Sequence, residues 1–112
     1  DSDDDARYVV SKISNLRIFA DPSVEFNKSI LDIGGDLMLV SQFTLYADTK
    51  KGRRPSFSGA AGSDKAEQVY NDVLDLFRLS GCHVVTGWFG QHMEVELIND
   101  GPVTILIDSA ST

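Results

Sequence analysis

Apolar residues recur at helical spacing in two stretches of the chain. Ala6, Val9, Val10, Ile13 and Leu16 repeat at three- and four-residue intervals, which predicts a helix over residues 3–17. Asp3, Asp4 and Asp5 suit the positive end of its dipole. Ala66, Val69, Tyr70, Val73, Leu74 and Phe77 form the second stripe. Ser63 is its expected N-cap, Asp64 falls in its first turn, and Gly81 fits its C-terminal stop.

The remaining apolar stretches are too short for helices or alternate with polar residues. Residues 28–33 are expected to form a short strand, followed by a tight connection at Gly34-Gly35-Asp36. Residues 37–47, LMLVSQFTLYA, are the most apolar stretch, and their β-branched and aromatic content predicts a buried strand. Asp21-Pro22 signals a turn, and residues 48–62 read as a polar, basic loop. Residues 82–86 are a further expected strand. Over residues 92–98, Met93, Val95 and Leu97 share one face, with Glu94 and Glu96 on the other. Asn99-Asp100-Gly101-Pro102 turns the chain, residues 103–108 return as a last strand, and residues 110–112 are a frayed tail. The order αββαβββ predicts an α+β fold, a largely antiparallel sheet with two helices packed on it.

Composition narrows the class. A chain of 112 residues, 42% hydrophobic and 24% charged, is expected to be a single domain, 1–112, with a real core. No apolar run approaches the roughly 20 residues that would span a bilayer, so no membrane partner is expected. Cys82 is the sole cysteine and cannot form an internal disulfide, which points to a reducing, cytoplasmic setting. The sequence begins at Asp1 without a signal peptide and reads as though it starts inside a loop, so a fragment or processed chain is expected.

The net charge of −7 argues against passive wrapping of a polyanion. Yet Lys50, Lys51, Arg53 and Arg54 fall within one short loop. That loop is either a solvated basic run or a local phosphate contact. GxSxG, P-loop, GxGxxG and HExxH motifs are absent, and Cys82 and His83 with distant His92 do not have zinc spacing.

Two segments carry more information. Ser41-Gln42-Phe43-Thr44-Leu45 places three polar side chains in an apolar stretch. Each would cost about 1–3 kcal/mol if buried without a partner. Either neighbouring backbone satisfies them or the strand end opens into a pocket. Ser41 and Thr44 face opposite sides of a regular strand, so both serve one pocket only if the strand bends or ends. The second segment is Asn99-Asp100-Gly101-Pro102-Val103-Thr104. It is either an ordinary turn or a rigid Gly-Pro device that presents fixed carbonyl oxygens to a ligand.

Together these segments resemble the signatures SQ-x-TL and N-x-GP-x-T of the D-aminoacyl-tRNA deacylase family, formerly the D-tyrosyl-tRNA deacylases. Lys51-Gly52-Arg53-Arg54-Pro55-Ser56-Phe57, Phe89-Gly90 followed by Met93, Asn15-Leu16-Arg17-Ile18-Phe19 and Ser29-Ile30-Leu31-Asp32 also match. The resemblance runs over essentially the whole chain in order. The family usually has strands ahead of the first helix. The chain starts at that helix, so it looks like an N-terminally truncated member of a barrel-like fold.

The resemblance implies hydrolysis of the ester between a D-amino acid and the 3′-terminal adenosine of tRNA, a chirality proofreading step. It implies D-aminoacyl-tRNA as partner, a homodimer with the site at the interface, and no cofactor or metal. Ser41, Gln42, Phe43 and Thr44 would form the catalytic segment. Gly101, Pro102, Val103 and Thr104 would reach into the other subunit's site, where fixed carbonyls exclude L-amino acids by a built-in clash. Achiral glycine would be poorly excluded. Phe89 and Met93 would line the adenosine pocket, and Lys50, Lys51, Arg53 and Arg54 would touch acceptor-stem phosphates.

Two mechanisms remain open. In one, Thr44 is the nucleophile. In the other, favoured here, backbone N–H groups around Phe43 and Thr44 hold the oxyanion while the ribose 2′-hydroxyl helps activate water. The alternatives to an active enzyme are a catalytically inactive tRNA-binding module and a truncated fragment; within the enzyme class, the neighbouring possibility is a relaxed relative that edits a misacylated L-amino acid.

Overall fold

Two capping boxes start two of the helices in the computed structural model, which describes residues 2–111. The Ser2 hydroxyl accepts the Asp5 N–H at 3.3 Å, and the Asp5 carboxylate accepts the Ser2 N–H at 2.9 Å. Helix α1 follows, Asp3–Asn15, and ends where Leu16 turns extended. Ala6, Val10 and Ser14 form its buried face. Ser29 repeats the device. Its hydroxyl accepts the Asp32 N–H at 3.1 Å, and Asp32 accepts the Ser29 N–H at 2.9 Å.

That second box corrects the strand expected over residues 28–33. The segment forms a one-turn helix, α2 (Ile30–Ile33), closed by Gly34 in the left-handed region at φ 63°. Local hydrogen bonds outweigh the β-propensity of the isoleucines here.

Strand β1 is Asp36–Leu39, helix α3 is Ser63–Leu79, and strand β2 is His83–Thr86. Gly62 is the N-cap of α3, one position before the expected Ser63. Beyond its C-cap, Gly81 takes φ 97°, as the sequence suggested. Phe77 is 1% exposed and sits at the core with Val10 and Cys82. Ile13, Ile30, Leu37, Leu39, Val73, Leu76 and Val84 close around them.

The largely antiparallel sheet does not form. β1 and β2 pair in parallel, with Asp36 opposite His83 and Leu39 opposite Thr86. The connection between them contains α3, which carries the chain back so that both strands run the same way. Among the described residues, antiparallel pairing is confined to single bridges, Phe19 with Lys28 and Asp48 with Ser56.

The strand expected over residues 37–47 is cut short. β1 stops at Leu39, and Phe43–Tyr46 form a 3-10 turn with exposed side chains. The strands expected over residues 92–98 and 103–108 make no ladder among the described residues. Their Ile98 and Leu106 are 93% and 89% exposed. A strand needs a partner backbone, and alternation alone does not supply one. The expected frayed tail is a short 3-10 turn over Ser109–Ser111, with Thr112 outside the described residues.

The surface reflects this. The chain exposes 8897 Å², where a compact monomer of this mass exposes about 6,100 Å². Its radius of gyration is 15.6 Å, against about 13 Å for a compact domain of this length.

Candidate active site

The end of β1, the 3-10 turn, the start of α3 and residues 89–93 enclose a cavity of about 760 Å³. That lies in the range of small-molecule sites. Ser41, Gln42 and Phe43 line one wall because β1 has ended and the chain bends away from the sheet. Phe89 and Met93 line another, and Ser63 and Ala66 of α3 form the floor.

The walls are braced from behind. The Tyr70 hydroxyl donates to the Leu39 carbonyl at 3.1 Å, and the Tyr70 ring lies 5.5 Å from Phe89. The Gly87 N–H donates to the same carbonyl at 3.4 Å. Phe43 meets Phe57 edge to face at 4.9 Å. Phe57 lies just past the bridge between Asp48 and Ser56 that closes the basic loop, so that loop is anchored beside the cavity. Lys50, Lys51, Arg53 and Arg54 are exposed on it, and no carboxylate pairs with them among the described residues.

Thr44 stands apart from the cavity lining. Its hydroxyl accepts the Gln42 side-chain amide at 2.5 Å. The Phe43 and Thr44 N–H groups, at the start of the 3-10 turn, donate to no group among the described residues.

Residues 99–104 lie outside the cavity of their own chain. Asn99 braces the segment. Its side chain accepts the Val103 N–H at 2.7 Å and donates to the Thr104 hydroxyl at 3.0 Å. The Gly101-Pro102 bond is cis. Gly101 takes φ 147°, and a Cβ there would lie 2.8 Å from Val103 Cγ2 and 2.9 Å from Val103 N. Gly101, Pro102, Val103 and Thr104 are all exposed.

Sequence reasoning missed Tyr46, Ser63 and His92 as cavity residues. His92 is exposed, and it also lines the cavity. Its place between Phe89 and Met93 was the available signal. His83 lies elsewhere, with Nδ1 2.9 Å from an Asp36 carboxylate oxygen across the two strands. The carboxyls held below their ordinary value of 3.8 belong to the scaffold. Backbone N–H groups lower Asp5 through Ser2, Asp21 through Ser23 and Val24, and Asp32 through Ser29.

This scaffold recurs in a solved structure described as a c-Myc DNA Unwinding Element Binding Protein. It matches with a TM-score of 0.85 and 38% identity over 94% of this chain and 72% of that one. Residues 1–108 match the family described as D-Tyr-tRNA(Tyr) deacylase. The D-aminoacyl-tRNA deacylase of Neisseria meningitidis serogroup B is 54% identical over the whole chain, which spans 69% of that protein. That of Clostridium acetobutylicum is 53% identical over 97% of the chain and 73% of its own length. The fold and motifs are therefore those of a tRNA-editing hydrolase family. The chain belongs to the D-aminoacyl-tRNA deacylase family. No helix among the described residues is long and apolar enough to cross a membrane.

Proposed function

We propose that the cavity beside Ser41, Gln42 and Phe43 receives the 3′-terminal adenosine of an aminoacyl-tRNA, and that the chain hydrolyses the D-aminoacyl ester there. The activity is that of the family, removal of D-amino acids from tRNA as a proofreading step in translation. Phe89 and Met93 offer apolar contact to the adenine. The cations at Lys50, Lys51, Arg53 and Arg54 meet acceptor-stem phosphates.

One observation carries the mechanism. Among the described residues the backbone N–H groups of Phe43, which lines the cavity, and of its neighbour Thr44 donate to no group. Such donors stabilise the oxyanion of the tetrahedral intermediate. Thr44 is engaged with Gln42, and among the described residues no basic side chain is bonded to it, so water activated with help from the ribose 2′-hydroxyl is the attacking group. Ser41 and Gln42 position the substrate.

The functional unit is a homodimer in the cytoplasm. The excess exposed surface and the exposed Val95, Leu97, Ile98, Ile105 and Leu106 support a covering partner. In the dimer, Gly101 and Pro102 of one subunit reach the other's cavity and exclude L-amino acids through their carbonyls. Val103 and Thr104 hold that segment in place.

The test is hydrolysis of D-tyrosyl-tRNA beside L-tyrosyl-tRNA. Release of the D-amino acid alone is expected. Binding of both without turnover would overturn the catalytic reading in favour of a tRNA-binding module.

A further inference from the structure

We propose that Trp88 is a stacking platform for the nucleobase that precedes the terminal adenosine of the bound RNA. The proposal rests on the adenosine reading of the cavity given above. It adds a second base contact, just outside the cavity.

Trp88 is 74% exposed and directly precedes Phe89, which lines the cavity. Among the described residues no ring packs on it. An indole left in water forgoes a large hydrophobic gain and its preferred aromatic contacts.

The backbone that carries it is firmly held. The Trp88 N–H donates to Met93 Sδ at 3.4 Å, and the Trp88 carbonyl accepts the Gln91 N–H at 3.2 Å. Gly90 supplies the positive φ of 73° within that turn. Gly87 lies flush against Met93, where a Cβ would overlap the sulfur. Phe89 is set against Tyr70. The turn is thus fixed to the cavity wall on both sides of Trp88, while the indole remains available. A rigid aromatic on a fixed turn loses little conformational freedom on binding.

The ligand chemistry follows. Single-stranded RNA ends are bound by stacking unpaired bases on aromatic rings. A base seated against Phe89 and Met93 leaves the preceding nucleotide outside the cavity, and Trp88, next to Phe89 in the chain, is the exposed ring offered to it. Stacking tolerates any base, since each has a π face.

Trp88 is the sole tryptophan, so the protein's tryptophan emission reports this position alone. The trinucleotide CCA is expected to quench that emission and adenosine to quench it far less, while both inhibit hydrolysis competitively. Trp88→Ala is expected to raise KM for D-tyrosyl-tRNA by about five- to hundredfold. The rise for D-tyrosyl-adenosine should be at least tenfold smaller, and Trp88→Phe should restore most of the loss. Inhibition by CCA with unchanged emission would overturn the proposal and leave the deacylase reading standing. So would equal KM increases for both substrates, or emission that is shielded in a concentration-dependent way before RNA is added, since a second copy would then cover the indole. Failure of both CCA and adenosine to inhibit would overturn the proposal together with the adenosine reading.

Discussion

The side-chain amide of Gln42 donates to the hydroxyl of Thr44 at 2.5 Å, across the first residue of the 3-10 turn. The bond occupies a lone pair of the one hydroxyl that could act as nucleophile in this segment's second half. It also fixes the turn that presents the Phe43 and Thr44 N–H groups. Thr44→Ala removes one hydrogen bond and leaves those donors in place. kcat for D-tyrosyl-tRNA should fall by no more than about tenfold, the worth of one such bond. Single-turnover kinetics measure this directly. A loss of three or more orders of magnitude would restore Thr44 as nucleophile.

Gly101→Ala strikes the other motif. A methyl group there meets Val103 at 2.8–2.9 Å on a backbone with φ 147°, a conformation that L side chains rarely adopt. The segment must shift. We expect kcat/KM for the D substrate to fall at least about tenfold. The melting temperature should move little, because residues 99–104 are exposed. Parallel kinetics and thermal melts separate the two effects. Wild-type rate and D-selectivity in this variant would remove the segment from the site.

Replacing Lys50, Lys51, Arg53 and Arg54 with glutamine should weaken tRNA binding and flatten its salt dependence. Each lost phosphate contact reduces the slope of log K against log salt by about 0.7–0.9. Binding titrations at several salt concentrations give the number of contacts. An unchanged slope would return this run to the role of a solvated loop.

Acid should destabilise the scaffold through Asp5, Asp21 and Asp32. Folding lowers their pKa values below 3.8, chiefly through backbone N–H donors. Their contribution is therefore present above that value and is lost as pH falls through their folded pKa values. Denaturant midpoints should drop on acidification below about pH 4. Asp32→Asn should show a smaller drop than the parent protein, since it removes one of these titrations.

Phe77→Ala should cost about 3–5 kcal/mol, because the ring is 1% exposed and joins both long helices to the strands. Equilibrium unfolding measures the loss. A cost below about 1 kcal/mol would mean that the core collapses around the site.

The long helices were legible because their stripes, caps and stops agree. α1 follows its apolar repeat to Asn15, and Gly81 closes α3 where glycine was expected. The strands were less legible, for a physical reason. Alternation over residues 92–98 reports a face that wants burial and is silent on what buries it. α2 was hidden because Ile30 and Ile33 favour a strand, while the decisive signal was the box between Ser29 and Asp32. At the site, the polar residues in residues 37–47 left two readings open, and the cavity lined by Ser41 and Gln42 beyond the end of β1 fits the one in which the strand end opens into a pocket. The placement of Tyr46 and His92 depended on a fold that brings residues from both sides of α3 together. No local pattern encodes that distance.

Tyr70 touches both sides of this cavity from a single helical position, through its hydroxyl on Leu39 and its ring on Phe89. The opening is consequently gauged by α3, and the loops follow. A slight rotation or slide of that helix would reset both walls in step. Residues far along α3 that do not line the cavity would thereby gain leverage over its width.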